Sequence, residues 1–212
     1  MHRATEVIAR LQNHINTIAT ILLSVAALAT SWAGYQSTLW SGDQNELANE
    51  AMDRRSKAIE AATRSGQLKM IDVGVFTSWL SASSRRDSAL AQFLSQRFRP
   101  EFKAAFDKWI STNPLSSADA PRTPFVMPDY RVSADTVAAQ LQHAADSLSS
   151  ASSRANRMSD TYVLVAVILA MVMFFATSAQ QGGKPTPRLV LIGMAAAVCL
   201  MGLLRLLTLP VA

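Results

Sequence analysis

The sequence predicts an all-α membrane protein with three transmembrane helices, two of them extended into an antiparallel helical stalk that carries a small helical head. Three observations predict it. Residues 11–42 and 161–183 carry no formal charge if His14 is neutral, and 189–209 carry only Arg205. Each run is long enough to cross the roughly 30 Å hydrocarbon core of a bilayer. The second run continues, without a Gly or Pro, a water-soluble stretch that begins at Ser133. Along it Val137, Leu141, Ala144, Leu148, Ala151, Ala155, Met158, Tyr162 and Val165 recur in alternating steps of four and three. That is the 3.5-residue seam of one helix packed on another.

The elements follow in order: an amphipathic lead-in at 1–14, a first span at 15–40, a stalk and head at 41–160, a second span at 161–181, a tight turn at 182–188 and a third span at 189–209. In the lead-in, Arg3 and Arg10 flank Val7, Ile8 and Leu11. A cleavable signal peptide is the competing reading of the first span, with Ala27-Leu28-Ala29 as its cleavage site. The helical pattern runs past that site without a turn residue, which favours a retained anchor. Trp32, Gln36, Trp40 and Gln44 then fall four apart on one helical face. Amphipathic rings favour the headgroup level, and a polar Gln there favours a helix partner over lipid. These four residues and Arg205 are the candidate oligomer or pore contacts.

Beyond Asp43, acids precede bases at four-residue spacing in Glu50/Arg54 and Asp53/Lys57, the arrangement that supports an exposed helix. Leu47, Ala51 and Ala58 keep a partial seam there, which pairs with the seam Val137, Leu141, Ala144, Leu148, Ala151, Ala155 and Met158. The expected stalk is about 40 Å long at 1.5 Å per residue over 133–160. Gly66 and Gly74 weaken the first arm locally, but the pattern recovers. Phe76, Trp79, Phe93, Phe98, Phe102, Phe106 and Trp109 are far denser in aromatics than the stalk and should form the head, closed on itself or at a subunit interface. Pro100 suits the first turn of a new helix. Pro114, Pro121, Pro124 and Pro128 make 113–132 a loop, and Ser133 is the expected N-cap of the helix after it. Small residues, Ala166 and Ala170 on the second span and Gly193, Ala197 and Gly202 on the third, permit close helix contact.

Half of the residues are apolar, and the net charge of +5 is scattered among acids, which offers no clustered face to nucleic acid. The single Cys199 lies in an apolar run and forms no internal disulfide. His2, His14 and His143 are far apart, and no HExxH, P-loop, GxGxxG or GxSxG is present. No cofactor and no catalytic or metal site is expected. The first side of the membrane carries Arg3, Arg10, Lys184 and Arg188 against one acid, Glu6, so the positive-inside rule places the N-terminus in the cytoplasm and the head outside it.

The segment Trp32-Ala33-Gly34-Tyr35-Gln36 followed by Leu39-Trp40-Ser41-Gly42-Asp43-Gln44 resembles one found in uncharacterised bacterial membrane proteins. Those proteins have one N-terminal span, a helical middle and two C-terminal spans. The resemblance implies a bacterial inner membrane and transfers no activity or catalytic residue. Together these readings point to a non-enzymatic, homo-oligomeric assembly or scaffold, with a pore-forming oligomer as the alternative. The expected partners are the lipid bilayer, further copies of the chain and a membrane partner the sequence does not identify.

Overall fold

A computed structural model describes residues 2–117, 119–181 and 185–212, with side chains at 12–117, 119–181 and 186–212. The side chains of the lead-in up to Leu11, and residues 182–184 of the expected tight turn, lie outside the described residues. Five α-helices occur among those described: α1 (His2–Ser84), α2 (Ser88–Ser95), α3 (Pro100–Ile110), α4 (Ser133–Gln180) and α5 (Pro185–Thr208). Three of them, α1, α4 and α5, are long and apolar enough to cross a membrane. The chain is all-helical, and its three apolar helices are compatible with a multi-pass membrane protein.

Two compact units divide the chain, one of Met1–Asn49 with Leu148–Ala212 and one of Glu50–Ser147. Helices α1 and α4 contribute to both. The first unit packs α5 with parts of α1 and α4. Its core joins Ile15, Ala19 and Ala26 of α1 to Val172 and Ala176 of α4 and to Ile192, Ala195 and Cys199 of α5. A second patch joins Ala29 to Val165 and Leu169, with Leu203 and Leu206 packed against it. On α5 the inward positions Arg188, Ile192, Ala195, Cys199 and Gly202 step by four and three, the period of a supercoiled contact. Helix α4 is unbroken through 159–162, where Ser159 and Tyr162 are both buried.

The second unit holds residues 50–84 of α1 against residues 133–147 of α4, with α2, α3 and the 113–132 loop. Two contacts set an antiparallel register: Arg55 Nη2 meets Asp146 Oδ1 at 3.1 Å, and Ser65 Oγ donates to Asp135 Oδ1 at 2.6 Å. Helix α1 ends because Arg86 turns into the left-handed region at φ 61°, which lets the Asp87 N–H reach back to the Ala82 carbonyl. Asp87 then caps α2, its Oδ1 accepting from the Leu90 N–H at 3.0 Å. Pro100 opens α3 in its first turn, where a missing N–H costs nothing. Pro124 begins a short 3-10 turn, Pro124–Val126, inside the expected loop. Ser133 is the first residue of α4 rather than its cap, and its N–H donates to Glu101 Oε1 at 3.3 Å.

Candidate functional site

In the second unit, six aromatic side chains of the expected head, Phe76, Trp79, Phe98, Phe102, Phe106 and Trp109, form one buried cluster. Edge-to-face contacts dominate it, such as Trp79 on Phe106 at 4.8 Å and Phe76 on Trp109 at 5.4 Å between ring centres. That geometry sets the positive ring edge against a negative face. Phe125 and Tyr130 of the loop complete the knot, with Phe125 stacked on Phe102 at 5.3 Å. Trp109 satisfies its indole N–H on the Pro121 carbonyl at 2.7 Å. Phe93 stands outside the knot, 48% exposed, with the Arg97 guanidinium 3.7 Å over its ring. It belongs to the short α2, whose described residues are nowhere buried.

Beside the knot lies a charged cluster. Asp72 is fully buried on α1, and its carboxylate accepts from Arg99 Nη2 at 2.7 Å and from the Tyr130 hydroxyl at 3.0 Å. Arg99 also pairs with Glu101. Burial, and then the hydrogen bond to Asp72, push the Tyr130 phenol well above its ordinary value. Nearby, Lys69 and then Ser65 hold the Asp135 carboxyl below the usual carboxylate range. Arg99 serves both Asp72 and Glu101 while Lys69 pairs with Asp135, and Asp72 accepts from donors that fix it in place. The arrangement anchors the head on α1.

In the first unit the polar groups are drawn between helices. Ser159 of α4 is a hub: its Oγ donates to the Ser37 carbonyl at 3.0 Å and lies 2.9 Å from Ser37 Oγ and 3.0 Å from Ser41 Oγ. Ser152 Oγ donates to the Gln44 carbonyl at 2.9 Å. Arg188 is 5% exposed; its Nε donates to the Ala179 carbonyl at 2.7 Å and its Nη2 to Asn16 Oδ1 at 2.6 Å. Ala179 lies in the last turn of α4, where carbonyls lack helical partners and the helix dipole is negative, so a cation fits there without a carboxylate.

The candidate oligomer or pore residues are not brought to one outward face. Trp32 is 44% exposed and tilts against Tyr35. Gln36 is 1% exposed, its amide oxygen accepting from the Ala212 N–H at 3.0 Å, so it is turned inward and used by the chain itself. Trp40 and Gln44 are half-buried, and Trp40 Nε1 has no hydrogen-bond partner. Arg205 is exposed on α5. Thr20, Ser24 and Ser31 return their hydroxyls to α1's own carbonyls.

The stalk seam falls at the expected Ala51, Ala58 and Ala155, and elsewhere on α4 it is displaced by one residue. Ala51, Ala58 and Ala155 are buried, Leu47, Leu141, Ala144, Leu148, Ala151 and Met158 are half-buried, and Val137 is 46% exposed. Between Ser133 and Asp160 the buried positions on α4 are Ala145 in the second unit and Ser152, Ala155 and Ser159 in the first. Volume decides this: where two backbones approach closely, Ala and Ser fill the centre and larger residues move to its flanks. Likewise Gly193 and Ala197 face outward on α5, and Ala170 is exposed on α4; Ala166 is half-buried, and Gly202 meets Leu169 of α4. His143 is exposed, and Asp146 bonds Arg55 and Gln142.

The cavities of the second unit are shallow grooves, one of about 360 Å³ lined by Lys57, Glu60, Arg64, Leu68, Ser133 and Val137 among others. Among the described residues no three His, Cys, Asp or Glu side chains gather as a metal site. Architecture and site together define an all-helical chain with three membrane-length helices and an aromatic knot tied to α1 by a buried ion pair. Protein-family models, curated proteins and solved structures give no match to this chain.

Proposed function

We propose that this chain is a non-enzymatic membrane scaffold that works as a homo-oligomer. One observation supports the reading above others: apolar surface is left over outside the membrane spans. Met52, Ile59, Met70 and Ile71 on α1 and Phe93 on α2 are between 48% and 76% exposed, although the aromatic knot beside them is closed. Soluble surfaces rarely leave such a patch without a partner. The pore alternative is less supported, because Gln36 is turned inward and the hydroxyls of Thr20, Ser24 and Ser31 return to α1's own carbonyls. The resemblance carried by Trp32–Gln44 supports a bacterial inner membrane. The bases Arg3, Arg10, Lys184 and Arg188 support a cytoplasmic N-terminus and an extracytoplasmic head. Mass measurement of the full chain in mild detergent and in lipid nanodiscs tests the reading: a defined oligomer is expected, and a monomer in both media overturns it.

A further inference from the structure

Helix α1 carries two seams in the second unit, and only one of them is used within the chain. The inner seam, Ala51, Ala58, Ser65, Asp72 and Trp79, is buried at every position. One residue further on runs a second series: Met52, Ser56, Ile59, Thr63, Gly66, Met70, Val73, Thr77 and Leu80. Its steps alternate four and three from end to end, and all nine positions are exposed and uncharged. Over residues 52–64 the exposed positions between them, by contrast, hold Asp53, Lys57, Glu60 and Arg64, with Ala62 the one uncharged; beyond 66 they hold Gln67, Ile71, Gly74 and Ser78. Charge is thus confined to the borders of an apolar strip with coiled-coil period, the pattern of a helix with a second helical partner. Large residues (Met52, Ile59, Met70, Val73, Leu80) are interspersed with small ones (Ser56, Thr63, Gly66, Thr77), so that knobs can find holes. Shallow grooves flank the strip at Ile59, where Ala58, Ala62 and Ala138 line about 290 Å³, and at Met70 and Val73, where Lys69 and Gly74 line about 320 Å³.

Two arguments identify the occupant as a second copy of this chain, in parallel and in register. Copies inserted in one bilayer with one topology present this helix in the same direction. In that direction a residue bordering one side of the strip faces the residue five positions on in the other copy. Arg55 then meets Glu60 of the second copy, and the two-fold relation forms the pair twice. Arg55 is 42% exposed even while it touches Asp146, so its guanidinium remains accessible. An antiparallel pairing of the same strip, with Thr63 of one copy beside Gly66 of the other, instead sets Arg55 near the buried Phe76 and Glu60 near Gln67, with no charge satisfied. We propose that residues 52–80 of α1 form a parallel two-stranded coiled coil between two copies of the chain, sealed along Met52, Ile59, Met70, Val73 and Leu80. The proposal rests on the homo-oligomer reading and names its surface.

Single cysteines in the full chain test it, in a Cys199→Ser background and in native membranes. Oxidation should crosslink Ile59→Cys and Val73→Cys each to itself, because only a parallel, in-register pair brings identical positions within disulfide reach. Arg64→Cys and Ser78→Cys, on the same helix but off the strip, should stay monomeric on gels. Crosslinks at both strip positions and neither control support the interface. An oligomer by mass whose strip cysteines fail to crosslink, or whose controls crosslink equally, overturns the interface and leaves the scaffold reading standing. A monomer by mass overturns both.

Discussion

Asp72 shows how a single side chain commits the second unit. A buried carboxylate is tolerated because Arg99 and Tyr130 both donate to it, and removing one donor strands the charge. Arg99→Ala should therefore destabilise this unit by roughly 3–5 kcal/mol, read as a lower melting midpoint of the near-ultraviolet circular dichroism of Trp79 and Trp109. The double variant Asp72→Leu/Arg99→Met, which removes charge and partner together, should lose less than Arg99→Ala alone; an equal or greater loss would refute the role given to the pair. Tyr130 makes the same site sensitive to alkali. Its phenol is raised in the folded state, so its contribution is complete below the ordinary tyrosine value of about 10 and fades as pH climbs through the raised value. Absorbance at 295 nm should show late-ionising tyrosine, and Tyr130→Phe should reduce that late component by one residue. The lowered Asp135 works in the opposite direction: the stability it gives is present at neutral pH and drains away in acid, once its carboxyl is protonated.

At the scale of elements, Gly202 decides how closely α5 approaches α4. A Cβ there would stand 2.9 Å from Leu169 Cδ2 and 3.3 Å from its Cγ, and Leu169 is fully buried with nowhere to swing. Gly202→Val should cost about 1–3 kcal/mol through overpacking, measured as reduced thermal stability in detergent. Gly193→Val, with nothing within 4 Å of its Cβ, should leave the melting temperature unchanged. This contrast marks where sequence periodicity stops being informative. The existence of α4 as one helix from Ser133 was legible, because an unbroken 3.5 period and an uncharged run leave no other regular structure. Pro100 and the proline-rich loop were legible for the same local reason. Which face of α5 turns inward was not, since Gly193, Ala197 and Gly202 are equally small and spacing alone does not choose among them. The Asp72, Arg99 and Tyr130 cluster and the Arg188 tie to Asn16 were also hidden: each joins segments tens of residues apart, and no local pattern marks them. The head aromatics were readable as a group by density, but Phe93 shows that density does not say which ring is enclosed.

For the whole molecule, the distribution of charge about the spans argues an orientation that is open to a direct test. Translocation is decided by unfolded segments, so bases in short flanks and loops count even where folding later buries them. Arg188 is such a base: it ends buried against Ala179 and Asn16, but it emerges beside Lys184 in a connection too short to hold a domain. With Arg3 and Arg10 it outweighs Glu6, while the long segment between the first two spans crosses largely regardless of its own charge. Exposed Ser116 lies in the loop of that segment, and Thr186 beside the Lys184 connection. In a Cys199→Ser background, Ser116→Cys should react with a membrane-impermeant maleimide on intact spheroplasts, and Thr186→Cys should react only after the membrane is opened. Reversal of that pattern would place the head in the cytoplasm. It would also show that Arg54, Arg55, Arg154 and Arg157, near the far ends of the first two spans, outweigh the four bases of the short segments. Labelling of both sites before permeabilisation would contradict an odd number of crossings, because Ser116 and Thr186 are separated by α4 alone.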